Sequence, residues 1–236
     1  MARRWRILGA LGTGPFAPVL AEQHWDGNHR QVVLSRPALP DAVQMARCLH
    51  PVVLAECDAV SLRGRDFGIR TYVPGRSIAQ LLDRHPEGLP AGVLARIAVE
   101  VLGGLKAAPV SHGALSASRI CVGRDGYVRV WGFTGRAADD CSDLADLCED
   151  WGAPSEGLLD ALRRGDVESA RDQMPEGPDL QAFVGEAPDL VLPHPWQGEE
   201  LTESDPEDLR RTPARTAAFA ALALALGFAS GWVYRP

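Results

Sequence analysis

The spacing of apolar residues changes once along this chain, and that change constrains the fold more than any other feature. Between residues 5 and 73 the apolar residues occur in short runs separated by turn residues, a pattern typical of β-strands. Between residues 78 and 105 they recur every three or four positions, which is the spacing of amphipathic helices. The sequence therefore predicts an α+β protein in which a lobe of five antiparallel strands precedes a mainly helical lobe.

Turn residues locate the individual elements of these two lobes. Residues 5–39 predict a three-strand meander, and a short helix over residues 40–49 follows it. Ser142 has the residue type and position of an N-cap for a helix in the second lobe. The other predicted elements are strands at 55–61 and 66–73, a hairpin at 120–130, and helices at 142–151, 155–164 and 166–173.

The C-terminal segment predicts a membrane anchor. Residues 217–234 contain no charged side chain and, as a helix, would measure about 27 Å, close to the hydrocarbon thickness of a bilayer. Three arginines precede the segment and one follows it, which places the N-terminal part in the cytoplasm. The sequence predicts a single-pass helix at residues 214–235 in the inner membrane; the alternative is an alanine-rich helix docked on the soluble part. A small-residue stripe offers a homodimer contact at Ala223, Gly227 and Gly231.

The region before this helix has the composition of a linker. Residues 186–213 carry five prolines and a run of acidic side chains from Glu199 to Asp208. Prolines and like charges favour an extended chain without a packed core. We therefore expect an extended, mobile tether at residues 186–213.

Charge and cysteine content exclude several classes of function. The net charge of −7, from 31 acidic and 24 basic residues, argues against a nucleic-acid-binding protein, which needs excess positive charge. The five cysteines include no C-x-x-C pair, and the six histidines show no metal-binding spacing. We expect no metal site and no nucleic-acid partner.

Six short motifs occur in the order found in protein kinases. Two lie at the start of the first lobe: Gly12 and Gly14 belong to a glycine-rich loop in which Ala17 replaces the third glycine, and Ser35 ends a V-A-I-K-like run. The other four are Leu49-His50-Pro51, a hinge-like Tyr72–Ile78, His112–Ile120 at the position of H-R-D-L-x-x-x-N-I, and Gly132-Phe133-Thr134 at the position of D-F-G. Residues 5–135 resemble the protein kinase family, in particular bacterial Ser/Thr kinases. The resemblance implies a two-lobed fold with an N-lobe at 5–74 and a shortened C-lobe at 75–185.

The residues that the family uses for phosphate transfer are replaced here. Ser35 stands where the resemblance places the phosphate-binding lysine, and Ala114 where it places the catalytic aspartate. Arg119 and Gly132 stand at the positions of the two magnesium ligands, and Arg119 would repel a divalent cation. No A-P-E motif follows, so the substrate platform is reduced as well. The resemblance thus implies a degenerate kinase without catalytic or metal-binding residues, in which Gly12 and Gly14 form a vestigial nucleotide loop.

Three functional hypotheses remain open. The first is a membrane-tethered pseudokinase that acts as a binding, scaffold or regulatory module in signalling, with a protein partner that the sequence does not identify. The second is an atypical Ser/Thr kinase or ATP-dependent phosphotransferase with relocated groups, and the third is a sensor that binds ATP without Mg²⁺. The groups available for relocated chemistry are Arg36, Arg70 and Arg119 for phosphates, and Asp125, Asp139 or Asp140 for a metal.

Overall fold

The computed structural model of the protein describes residues 3–11, 17–35, 45, 48–54, 58–152, 155–175, 179–184 and 192–202. The first lobe contains strands β1 (Arg4–Ala10), β2 (Val19–Trp25), β3 (Asn28–Ser35), β4 (Asp58–Leu62) and β5 (Arg65–Thr71). The second lobe contains β6 (Gly75–Ser77), α1 (Ile78–Arg84), α2 (Ala91–Ala107), a 3₁₀ turn (Ala117–Arg119), β7 (Ile120–Gly123), β8 (Val128–Val130), α3 (Asp140–Asp150), α4 (Glu156–Arg164), α5 (Val167–Asp172) and α6 (Leu180–Val184). The last described strand is β9 (Glu200–Thr202).

The first lobe is built on an antiparallel sheet, as the sequence predicts. Its strand order is β4-β5-β3-β2-β1-β9, and every neighbouring pair is antiparallel. Alternate residues of the strands point to one apolar core, because successive side chains of a strand face opposite sides. This core contains Trp5, Ile7, Val19, Ala21, Val32, Leu34, Val60, Leu62, Phe67, Ile69 and Leu201.

Within the described residues the sheet has six strands, so the predicted number of five is wrong. The sixth strand comes from the segment that we expected to be a mobile tether, and that expectation is wrong for residues 192–202. Leu201 is 5% exposed between two exposed neighbours, and this alternation of burial is what a strand at a sheet edge requires. The prolines and acidic residues concealed this short alternating pattern. Pairing with β9 also removes unpaired backbone groups from the edge of β1.

The second lobe forms around helix α2, whose apolar spacing the sequence predicted. Val93, Leu94, Ile97, Val101 and Leu102 of this helix are at most 1% exposed. Helices α3, α4 and α5 pack onto α2 or onto one another, and the three-stranded sheet β6-β7-β8 covers another side.

The ends of the second-lobe helices follow ordinary capping chemistry. The helix predicted to start at Ser142 begins instead at Asp140, because the side chain of Asp139 accepts a hydrogen bond from the Ser142 backbone N–H and is the true N-cap. Helix α4 begins after Ser155, as predicted. It ends at Gly165, whose φ of 65° is the left-handed conformation of a glycine C-cap.

Several predicted features lie outside the described residues. These are the glycine loop with Gly12 and Gly14, Arg36, most of the helix at 40–49, and the segment at 214–235 with its small-residue stripe. Met45 is described from the helix at 40–49, and it is buried against the second-lobe core. Among the residues that the structure describes, we find no helix with the length and apolar character needed to cross a bilayer.

Candidate functional site

A cavity of about 320 Å³ lies between the two lobes and is the candidate functional site. Its roof comes from strands of the first lobe, its back from the chain that joins the lobes, and its floor from the second lobe. The residues that line it are Leu11, Pro18, Val33, Leu54, Arg70, Tyr72, Val73, Gly75, Ser77, Gln80, Ser118, Arg119, Cys121 and Trp131. Two of these residues are arginines, and no carboxylate occurs among the described lining residues.

Ser35 lies at the end of β3, opposite Gly68 of β5. Val33, two residues earlier on the same strand, lines the cavity, and Ser35 does not. A serine side chain is much shorter than a lysine and carries no charge. The hydroxyl of Ser35 therefore supplies no cation to this cavity.

His112 organises the loop that precedes the 3₁₀ turn. Its ring is fully buried, its Nε2 lies 2.9 Å from the Trp131 carbonyl oxygen, and its Nδ1 lies 3.3 Å from the amide nitrogen of Ala114. A neutral ring that is protonated at Nε2 donates to the carbonyl and accepts from the amide. The ring also packs against Phe133, with 4.8 Å between ring centroids. Burial lowers the pKa of His112, because it disfavours the charged imidazolium. These contacts give His112 a structural role in the loop.

Asp140 holds the same loop from the other side. Its carboxylate accepts hydrogen bonds from the backbone N–H groups of His112, at 2.6 Å, and Gly113, at 2.8 Å. Ala114, at the position of the catalytic aspartate, follows directly and is exposed. The loop thus keeps a fixed backbone but presents a methyl group where a proton acceptor would stand. The sequence alone gave no sign that Asp140 supports this loop.

The two positions that match magnesium ligands are joined to each other. Nη1 of Arg119 donates a hydrogen bond of 3.0 Å to the carbonyl oxygen of Gly132. Gly132 has a φ of +85°, a conformation that side chains other than glycine rarely adopt. Partial burial lowers the pKa of Arg119 from its very high usual value, but a guanidinium stays protonated in a protein. A fixed positive charge therefore lies where two oxygen ligands for a metal would be.

Arg70 and Trp131, which both line the cavity, form a cation–π contact. Arg70 is 6% exposed on β5, and the carbon of its guanidinium lies 4.6 Å from the centroid of the Trp131 ring. This is the geometry of a cation–π pair, which is stronger in a desolvated place than at the surface. The Trp131 ring is thus the platform on which the Arg70 guanidinium stacks.

Cys121 on β7 also lines the cavity. Burial raises the pKa of the Cys121 thiol to about 11, because a thiolate is poorly solvated there. The thiol is therefore protonated at neutral pH and is a weak nucleophile.

The other acidic residues that we considered as metal ligands are used elsewhere. Asp125 pairs with Arg129 at 2.5 Å, and this hydrogen bond lowers the pKa of Asp125. Asp139 caps helix α3, and its hydrogen bonds to Ser142 lower the pKa of Asp139. Within the described part of the chain, no group of three or more His, Cys, Asp or Glu side chains is arranged to hold a metal ion.

Sequence comparison finds no protein-family model and no curated protein that matches this chain. Structural comparison finds similarity to the kinase domain of PknI from Mycobacterium tuberculosis. That crystal structure has a TM-score of 0.53 and 17% identity, over 76% of this chain and 93% of the PknI chain. Two double mutants of the PknI domain give TM-scores of 0.51 and 0.52, with 18% and 19% identity, over 76% of this chain and 91% of theirs. At such identities the likeness establishes the fold, and this chain has a protein-kinase-like fold.

Proposed function

We propose that this kinase-like chain is a pseudokinase, a binding or regulatory module that does not transfer phosphate. The observation that carries the proposal is the hydrogen bond from Arg119 to the carbonyl of Gly132. It joins the two positions at which an active kinase needs oxygen ligands for magnesium. The same contact places a cation in the space that the metal would occupy.

The electrostatic cost of a metal in that space is large. A divalent ion about 4 Å from a guanidinium would be repelled by about 8 kcal/mol at an effective dielectric constant of about 20. Magnesium also needs oxygen ligands, usually carboxylates and phosphates, to replace part of its hydration shell. The side chain of Arg119 offers no oxygen ligand, and Gly132 has no side chain that could. The proposal therefore excludes phosphate transfer by the usual magnesium-dependent route.

A second candidate is a sensor that binds an anionic nucleotide without Mg²⁺. The observation that favours it is the pair of guanidinium groups, Arg70 and Arg119, among the residues that line the cavity. Guanidinium groups bind phosphate oxygens through charge-assisted hydrogen bonds and need no metal for this. The remaining alternative, an atypical kinase or phosphotransferase, would use Arg36, Arg70 or Arg119 for phosphates. It also needs a metal ligand or proton acceptor, and the described residues that line the cavity include no carboxylate.

Phosphate transfer and nucleotide binding separate these candidates. The purified full chain would be incubated with radioactive ATP, with and without Mg²⁺, and thermal unfolding would be followed under the same conditions. A pseudokinase without nucleotide gives neither labelling nor a shift, whereas the sensor gives a shift in melting temperature that Mg²⁺ does not increase. Magnesium-dependent labelling of any hydroxyl acceptor would refute the pseudokinase proposal.

A matched pair of variants connects the result to the cleft. Arg119→Asn removes the cation from the cavity, and Arg163→Asn removes an exposed arginine that pairs with Glu149 on the second lobe. If nucleotide shifts the melting temperature, we expect Arg119→Asn to lower the nucleotide affinity at least about tenfold, since one charge-assisted hydrogen bond is worth about 1.5–3 kcal/mol. Arg163→Asn should leave it unchanged.

We also propose that residues 214–235 tether the domain to the inner membrane, with the kinase-like part in the cytoplasm. The uncharged stretch and the arginines before it support this proposal. The proposal also includes a protein partner in signalling and a homodimer contact through Ala223, Gly227 and Gly231. Carbonate extraction of membranes that contain the full chain tests the tether, because a spanning helix stays in the pellet. Recovery of the full chain in the supernatant would contradict it.

A further inference from the structure

The chain has a single lysine, and it lies at the end of a helix in the second lobe. Of the 24 lysine and arginine residues in the sequence, Lys106 is the only lysine. It belongs to the last turn of α2 and is exposed. Cys141, the second residue of α3, is partly buried. Neither residue lines the cavity between the lobes.

A third helix end shows how close the lysine amine and the cysteine thiol are. Gly165 ends α4, and a β-carbon built at this position would lie 2.6 Å from Nζ of Lys106 and 3.1 Å from Sγ of Cys141. Two atoms that lie so close to one point are close to each other. Besides its positive φ, Gly165 therefore has a second reason to be glycine, because a side chain would fill the space that the amine and the thiol share.

The charges around the thiol decide when it can react. The charged side chains that act on the Cys141 thiol are Lys106 of α2, together with Asp139 and Asp140 at the start of α3. Burial is the largest influence and raises the pKa of Cys141, because it disfavours the thiolate. The two aspartates act in the same direction, whereas the Lys106 ammonium favours the thiolate. The thiol is therefore mostly protonated at neutral pH, and its reactivity should rise as the pH increases.

A thiol and an amine in this arrangement are suited to acyl transfer. The Cys141 thiolate would attack the carbonyl carbon of an acyl thioester, form a new thioester and expel the thiolate of the donor. The neutral Lys106 amine would then attack the same carbonyl carbon, form an amide and expel the Cys141 thiolate, which takes up the proton that the amine releases. No electron is gained or lost, and the free thiol of the donor is the only other product. An acyl group on Sγ lies within reach of Nζ, so the second step has the advantage of an intramolecular reaction.

We propose that Cys141 takes acyl groups from acyl thioesters and passes them to Lys106, so that the single lysine of the chain is a site of self-acylation. Acylation removes the positive charge of the lysine. This charge lies at the C-terminal ends of α2 and α4, where a cation is favourable. Asp140, the neighbour of Cys141, holds the backbone of His112 and Gly113, so the modified site adjoins the support of that loop. The chemistry needs no group of the cleft, so it holds whether or not the cleft binds nucleotide.

Acetyl coenzyme A serves as the probe, because it carries its acetyl group as a thioester. The purified full chain would be incubated with this probe at pH about 7 and about 9, and acetylation of Lys106 would be followed by mass spectrometry of peptides. We expect acetylated Lys106 to form, and to form faster at the higher pH, because more of the Cys141 thiol is then ionised. Cys141→Ser should slow the acetylation at least about tenfold, since the amine must then attack the donor in a bimolecular reaction.

Two controls separate transfer through the thiol from a change in the amine. Cys48→Ser removes another partly buried thiol near the end of α2, whose Sγ lies 3.6 Å from the carbonyl oxygen of Ala107, and it should leave the acetylation rate unchanged. Reductive methylation with formaldehyde and a borohydride modifies the Lys106 amine without the help of a thiol. The methylation rate should be equal in the wild-type chain and in Cys141→Ser.

Several outcomes would overturn the proposal. These are the absence of acetylation at Lys106, equal acetylation rates in the wild-type chain and in Cys141→Ser, and a rate that depends on Cys48 instead. A methylation rate that falls together with the acetylation rate would also overturn it, because Cys141 would then only position the amine. Phosphate transfer is not measured, so each of these results leaves the pseudokinase proposal standing.

Discussion

Replacing Asp140 with alanine should be among the most damaging single changes to the second lobe. The substitution removes the acceptor for the N–H groups of His112 and Gly113, at 2.6 and 2.8 Å. A hydrogen bond to a charged group contributes about 1.5–3 kcal/mol, and a donor left unpaired when buried costs about 1–3 kcal/mol. Because His112 is fully buried, its N–H cannot turn to water without moving the loop. We therefore expect the free energy of unfolding to fall by about 3–4 kcal/mol.

Urea titration followed by tryptophan fluorescence measures this change. A matched control is Asp146→Ala on the same helix, since Asp146 is exposed and approaches Arg163 only at 3.8 Å. Exposed ion pairs contribute about 0–1 kcal/mol, so this control should shift the urea midpoint little. A loss below about 1 kcal/mol for Asp140→Ala, or equal losses for both variants, would show that the carboxylate does not hold the loop.

Three further predictions follow from the same structure. Trp196→Ala should lower the free energy of unfolding by about 2–3 kcal/mol and speed amide exchange at residues 192–202, whereas Tyr127→Ala, which alters an exposed aromatic residue, should change neither by much. Burial lowers the pKa of His112 in the folded protein, so the unfolded chain binds more protons below pH ~6.5. The contribution of His112 to the free energy of unfolding should be full above that pH and fall as the pH drops toward the lowered pKa. Urea titrations at several pH values should show that His112→Gln lacks this dependence. Gly132→Asp should lower the free energy of unfolding by about 1–2 kcal/mol, because residue 132 has a positive φ. While Arg119 is present, this variant should show no Mg²⁺-dependent shift in melting temperature, and such a shift would contradict the electrostatic argument.

The apolar spacing of a sequence predicts helices and strands that bury one face, because the repeating pattern lies within the element itself. The residues Val93, Ile97 and Val101 show the helical period on α2, and the structure buries all three. The short apolar runs of β2 and β3, separated by turn residues, likewise predict the antiparallel meander. Such patterns depend on neighbours within one element, so no knowledge of the partner surface is needed.

Features that depend on distant partners could not be predicted in this way. Asp140 lies in an acidic helix start, and nothing near it in the sequence indicates that it binds the backbone of His112 and Gly113. Arg119 was predicted to repel a metal, but its hydrogen bond to Gly132 depends on the fold of two loops. The pairing of residues 192–202 with β1 was missed because prolines and carboxylates dominate the composition of this segment, while the one buried side chain of β9, Leu201, is too short a signal.

The position of β9 has a consequence for how the chain folds during synthesis. Arg4 pairs with Thr202, so the edge of the first lobe stays open until nearly all of the described chain has left the ribosome. Contacts between residues so far apart in sequence form late and slow the final step of folding. During that interval β1 presents bare backbone groups to other nascent chains, and we expect a chaperone that covers exposed strands to raise the yield of native protein.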